Sequence, residues 1–144
     1  MRRAFTLIEL VVVLLILGIL AAVAAPKVFK VSDSATDNGV KESLTIVRDA
    51  IDRFTATSGI RPGADGNEAT FKSDLSPYVR RFPALPIGPG AAQNDVVLMS
   101  GGAGPPSAEA SPSEGWKYYF NTGEFIINVH EPLKTDGGVH YDEL

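Results

Sequence analysis

Glu9 is a carboxylate inside an otherwise apolar run, and no other side chain between Arg3 and Lys27 ionises. A charge held in lipid costs several kcal/mol unless it is paired. Two uses fit it. It could reach the nearby membrane interface, or it could pair with a cation supplied by another chain. Elsewhere the sequence is poor in reactive groups. Cysteine is absent, which removes disulfides, thiol nucleophiles and zinc knuckles together. His130 and His140 are the two histidines, and no Ser or carboxylate constellation is apparent around them from the sequence. Asp136-Gly137-Gly138 and Asp142-Glu143 put oxygen ligands near the C-terminus. They lack EF-hand spacing, so a solvated acidic tail is the simpler reading, with calcium the alternative. No Gly-rich phosphate loop follows a strand. An enzyme is not expected.

The element that holds Glu9 is legible from composition. Residues 1–4 are short and cationic, with Arg2 and Arg3. Sixteen residues from Leu10 to Ala25 then carry no polar side chain. From Phe5 to Ala25 the run would span about 32 Å as a helix, enough for one bilayer core. The two arginines place its start on the cytoplasmic side by the positive-inside bias. A cleaved secretory signal fits the small residues Ala22-Val23-Ala24, but Glu9 in the apolar region and Pro26 just behind it oppose that reading. A plain single-pass anchor explains the length and leaves Glu9 without a use. Twin-arginine export needs more than Arg2-Arg3. The whole chain has 144 residues, 13 basic and 17 acidic, for a net charge of −4. Nothing in that balance suggests the basic face of a duplex nucleic-acid binder.

Ala4-Phe5-Thr6-Leu7-Ile8-Glu9-Leu10 and the run behind it resemble the N-terminal signal of type IV pilins and type II secretion pseudopilins. The resemblance implies cleavage by a prepilin peptidase between Ala4 and Phe5, and N-methylation of Phe5. Glu9 then becomes the fifth mature residue, where the family keeps its Glu. Pro26 becomes the twenty-second, where pilins often carry a helix-bending Pro. The residue before the cut is Ala4 where the family usually has Gly. Cutting there would create a free amine at a helix start. A neighbour displaced along the axis could bring its Phe5 amine to Glu9, a pairing that fixes register more than it stabilises.

Beyond Pro26 the pattern resumes, so the proline should bend the helix rather than end it. Val40, Leu44, Val47, Ile51 and Phe54 recur at steps of four and three, which is one apolar helix face. Gly59 is a good left-handed stop after Ser58. A helix from Phe5 to about Ser58 is therefore predicted. Phe71, Leu75, Tyr78 and Val79 suggest short helical turns, with Ser76 as a cap and Pro77 in first position. Pro83–Gly115 holds six Pro and six Gly in 33 residues, and within it only Asp95–Met99 resembles a strand. Ser100–Glu114 is low-complexity, either mobile or a specialised surface loop. Trp116–Phe120 and Phe125–Val129 flank Asn121–Glu124, which reads as a hairpin. Trp116, Tyr118 and Phe120 share one face, as do Phe125, Ile127 and Val129, and both sets should cover the Val40–Phe54 stripe.

The expected fold is α+β and pilin-like: a long N-terminal helix, its first half in the membrane, on a small antiparallel β-sheet. The divisions are leader 1–4, membrane and assembly half 5–26, and extracytoplasmic domain 27–144. That domain comprises helix to about 58, loops 59–115, hairpin 116–129 and tail 130–144. The resemblance implies a filament subunit, first a pseudopilin of a type II secretion system that helps export proteins. A type IV pilin serving adhesion, motility or DNA uptake is the alternative, and a membrane-anchored module that never polymerises is a third reading. The implied partners are further copies of the chain, minor pseudopilins, the prepilin peptidase, an inner-membrane assembly platform and the lipid bilayer. No cofactor is expected, with calcium only the alternative to a solvated acidic tail, and no nucleic acid. The implied location is the bacterial inner membrane, single-pass, with the domain in the periplasm.

Overall fold

The computed structural model describes residues 5–88, 94–101, 105–109 and 112–144. Its largest element is α1, Leu7–Ser58, 52 residues long, or about 78 Å. Thr6 caps its start, and it continues without interruption through Pro26. It ends as its sequence predicts. Gly59 takes the left-handed conformation at φ 73° and its N–H reaches Thr55 O at 2.9 Å. A residue with a Cβ would be strained there.

The two halves of α1 have different surroundings. Every residue from 5 to 32 is exposed, whereas Val40, Leu44, Val47, Ala50 and Ile51 are buried. That stripe packs on a sheet of three short strands: β1 (Val96–Met99), β2 (Trp116–Tyr119) and β3 (Glu124–Ile127). β2 and β3 form the expected hairpin, with Trp116 opposite Ile127 and Tyr118 opposite Phe125. Gly123, at φ 88°, supplies the turn. Trp116, Tyr118, Phe125, Ile127 and Val129 are buried in one core with the helix stripe, β3 lying beside α1 and Phe71 over Tyr118 with ring centroids 4.5 Å apart. Trp116 and Phe125 stack with centroids 5.1 Å apart. The Trp116 indole N–H donates to Pro83 O at 2.9 Å, so the buried ring leaves no polar atom unpaired.

Two expectations are corrected. The sheet is mixed rather than wholly antiparallel, because β1 runs parallel to β2 with Val96 beside Trp116. The reason lies in the 100–115 connection. A parallel pair needs a crossover of about a dozen residues or more, and this segment is long enough to return the chain to the start of β2. Ser76 does not start a helix at Pro77. It closes α2, Glu68–Leu75, whose N-terminus is capped instead by Asn67 accepting the Ala69 N–H at 2.8 Å. Asn67 offers its side-chain oxygen to an otherwise orphaned donor, whereas the Ser76 amide is already bonded to Ser73 O.

The face of the sheet turned away from α1 is also covered. Lys117, Ile126 and Asn128 are buried there. Residues 105–109 lie across it: Lys117 Nζ donates to Ser107 O at 3.1 Å, and Glu109 N–H donates to Asn128 Oδ1 at 2.8 Å. Part of the low-complexity stretch is thus a strap on the sheet, while residues 102–104, 110 and 111 lie outside the described residues. The tail folds back on itself, with Pro132 bridged to His140 and a 3-10 turn at Tyr141–Glu143.

The stripe gives a direct stability test. In a soluble chain beginning near Lys30, Leu44→Ala and Ile51→Ala should each cost about 2–5 kcal/mol, because both side chains are buried in the core. Chemical denaturation would measure this, and near-zero costs for both would place the stripe outside the core.

Candidate functional site

The exposed half of α1 is an apolar rod with one charge near its tip. Phe5, Leu7 and Ile8 are 82%, 83% and 69% exposed, and the pattern continues through Leu20 and Val23. A monomer in water would pay for this surface, so it needs lipid or protein around it. Around Glu9, the side chains of Phe5, Ile8, Val12 and Val13 form a shallow apolar groove on one helix face. These positions recur at helical spacing, so the carboxylate emerges from a strip that is otherwise hydrocarbon.

Glu9 is not idle in the single chain. Thr6 N–H and Thr6 Oγ1 both donate to Glu9 Oε2 at 2.9 Å, and Glu9 N–H donates back to Thr6 Oγ1 at 3.3 Å. This reciprocal box satisfies donors that the first helical turn leaves open. Among the described residues both bonds fall on Oε2, and Oε1 accepts none. The role of Thr6 is absent from the reading of the sequence above. The signal was present, since Thr6-Leu7-Ile8-Glu9 has the spacing of a capping box. Ala4 lies outside the described residues, so of the expected cleavage junction only Phe5 is on view.

A second charged centre sits where α1 passes from exposed to buried. Asp37 is 1% exposed. It accepts the Lys134 N–H at 3.2 Å, the Thr135 N–H at 2.8 Å, and the hydroxyls of Thr135 and Tyr141. Burial alone would raise the pKa of its carboxyl. The bonds from the Thr135 and Tyr141 hydroxyls and from the two amides outweigh burial and hold it below the usual carboxylate range. Burial, followed by the bond and charge of Asp37, pushes the Tyr141 phenol well up. Arg48 adds a second tie, donating from Nε to Phe125 O at 3.1 Å and from Nη1 to Leu144 O at 2.9 Å.

The remaining sequence candidates are placed separately. Asp136 Oδ1 accepts the Gly138 N–H at 3.1 Å, and Glu143 Oε2 accepts the His140 N–H at 3.0 Å. The two histidine rings stack in parallel with centroids 4.1 Å apart. Contrary to the sequence reading, each has a carboxylate beside it. His130 Nδ1 lies 2.9 Å from Asp142 Oδ1, and His140 Nδ1 lies 3.7 Å from Glu143 Oε1. The fold-back of the tail brings these pairs together. The pairs tie the tail together.

Comparison with known proteins agrees with the tip of the rod. The family described as the prokaryotic N-terminal methylation motif matches residues 1–25. The chain is 27% identical over 112 residues to type II secretion system core protein G of Escherichia coli (strain K12), covering 70% of this chain and 74% of that one. It is 29% identical over 111 residues to core protein G of Vibrio cholerae serotype O1, covering 70% and 73%. The Klebsiella michiganensis core protein G gives 29% over 112 residues, covering 70% and 75%. No solved structure matches the chain significantly. One helix among the described residues is long and apolar enough to cross a membrane. Together with the methylation motif, it makes this a single-pass, membrane-anchored protein. With a methylation motif on an exposed apolar helix, a small α+β domain and relatives among the type II secretion core proteins, the chain is similar to the pilins and pseudopilins.

Proposed function

We propose that this chain is a filament subunit of a type II protein secretion system, polymerising through α1 to help move proteins outward. The observation that carries the reading is the exposed rod of residues 5–32 with Glu9 at its tip. A lone anchor has no use for that carboxylate, whereas a neighbour's Phe5 amine could bond its open oxygen. Arg2 and Arg3 hold the start in the cytoplasm, and the domain from Lys27 onward faces the periplasm. The prepilin peptidase cuts between Ala4 and Phe5 and methylates Phe5. Pro26 removes one helix hydrogen bond just beyond the apolar run, which lets the rod bend relative to the domain. The inner-membrane platform and minor pseudopilins would start and drive the filament. The role is mechanical rather than catalytic.

The chain has no cysteine, so introduced thiols report neighbours cleanly. Val12→Cys and Ile16→Cys, four positions apart like Phe5 and Glu9 and expressed together as full chains, then oxidised in cells that carry the secretion system and the peptidase, should yield disulfide-linked dimers in a sheared, pelletable fraction. Lysine crosslinking of that fraction should extend them to longer ladders. Intact mass should show each subunit lacking residues 1–4 and carrying one extra methyl group. Uncut, monomeric protein in such a host would overturn the reading.

A further inference from the structure

The resemblance to pseudopilins, some of which bind calcium in the C-terminal part of the domain, raises calcium as the organiser of the tail. Calcium needs about six to eight oxygen ligands converging on one point. The tail offers the reverse arrangement. Its inward groups are donors: the amides of Lys134 and Thr135 and the hydroxyls of Thr135 and Tyr141. They converge on a carboxylate, Asp37, which reaches them from α1. Three of its carbonyl oxygens are already engaged within the tail. Val139 O accepts the Leu133 N–H at 2.9 Å, Asp136 O the Val139 N–H at 3.4 Å, and Glu131 O the Tyr141 N–H at 3.0 Å. The carboxylates diverge as well. Asp136 turns to Gly138, Glu143 to His140, and Asp142 to His130 and to the Ala108 N–H at 3.2 Å. Among the described residues, no three His, Asp or Glu side chains are grouped to hold a metal. The residues present therefore do not fit a calcium ion.

We infer that the buried Asp37 carboxylate organises residues 131–144 in place of a divalent cation, so that this domain folds independently of calcium. A ring of N–H and O–H donors around a central point suits an anion, and here the protein supplies that anion from a rigid helix. Leu133 and Tyr141, in the same tail, are both buried.

The test is thermal unfolding of the full chain in detergent micelles, followed through Trp116 fluorescence, in excess calcium chloride and in excess chelator. A cation bound to the folded domain would make Tm depend on its concentration. The expected result is one Tm for the wild type in both conditions. Asp37→Asn should lower Tm by more than about 10 °C, with no recovery in calcium. A saturable rise of wild-type Tm with calcium would overturn the inference, as would a wild-type Tm for Asp37→Asn. If Asp37→Asn does not fold, amide spectra of the wild type decide the matter. Unmoved Lys134 and Thr135 resonances across a calcium titration support the inference, and saturable shifts there overturn it.

Discussion

Glu9→Ala in the full chain is expected to insert, to be cut and methylated, and yet to give almost no crosslinked oligomers. Two losses add in this variant. The first is the cap on α1, since Glu9 Oε2 no longer receives the Thr6 N–H and hydroxyl. Losing a helix cap typically costs about 0.5–2 kcal/mol, and the cost falls on monomer and filament alike. The second falls on the filament alone. A neighbour's Phe5 amine would be buried without its counter-charge, and breaking such a pair costs about 3–5 kcal/mol. That is more than about a hundredfold in each subunit contact. Glu9→Gln separates the two losses. Its amide oxygen can still accept from Thr6, so the cap survives while the charge is gone. The expected order of oligomer yield is wild type, then Gln, then Ala, with both variants far below wild type at equal levels of inserted protein. Shearing the cells and quantifying crosslinked oligomers beside inserted monomer measures this. Wild-type oligomer yields from both variants would leave Glu9 as a helix cap and nothing more.

The parts of this molecule written in local periodicity were legible, and those written in distant pairing were not. The Val40–Phe54 face needed only apolar side chains at steps of three and four, and it is buried as expected apart from Phe54, which is partly buried at its end. The β2–β3 hairpin needed only alternation and a glycine turn, and both are present. The direction of β1 was hidden, because a four-residue strand carries no mark of whether its partner runs with it or against it. The strap at 105–109 was hidden for a similar reason. Its hold on the sheet comes through main-chain groups bonded to Lys117 and Asn128, with one side-chain ion pair from Glu109 to Lys117 at 3.8 Å, so its Pro, Ser and Ala side chains say nothing of the contact. At the site, Glu9 stood out because the residues around it are hydrocarbon. Asp37 did not, since it lies among Ser, Asp, Thr and Asn and reads as part of a solvated helix face. Its partners arrive from nearly a hundred residues away. Nor did Arg48 stand out, which lies off the apolar stripe and yet bonds Phe125 O and Leu144 O.

Asp37→Ala should be the most damaging single change in the domain beyond Pro26. It removes one acceptor group and strips several donors at once. The Tyr141 hydroxyl is buried, and with it the Lys134 and Thr135 amides lose their partner. A buried donor left unsatisfied costs about 1–3 kcal/mol, so a total of about 3–5 kcal/mol is expected once water recovers part of it. A domain of this size has about 5–15 kcal/mol in all. The loss should therefore appear first as an untied tail, with fast amide exchange over residues 131–144, while the β2–β3 hairpin stays protected. Acid should reproduce the effect in the wild type. The folded pKa of Asp37 is lowered, so its contribution is fully present above the unfolded value of about 3.9 and fades as pH falls through the folded value. Unfolding free energy measured against pH should thus decline below about pH 4 in the wild type. In Asp37→Asn, which keeps one acceptor and cannot titrate, that decline should be shallower from a lower plateau. Equal acid slopes in the two proteins would show that the Asp37 carboxylate contributes nothing to the stability of the tail.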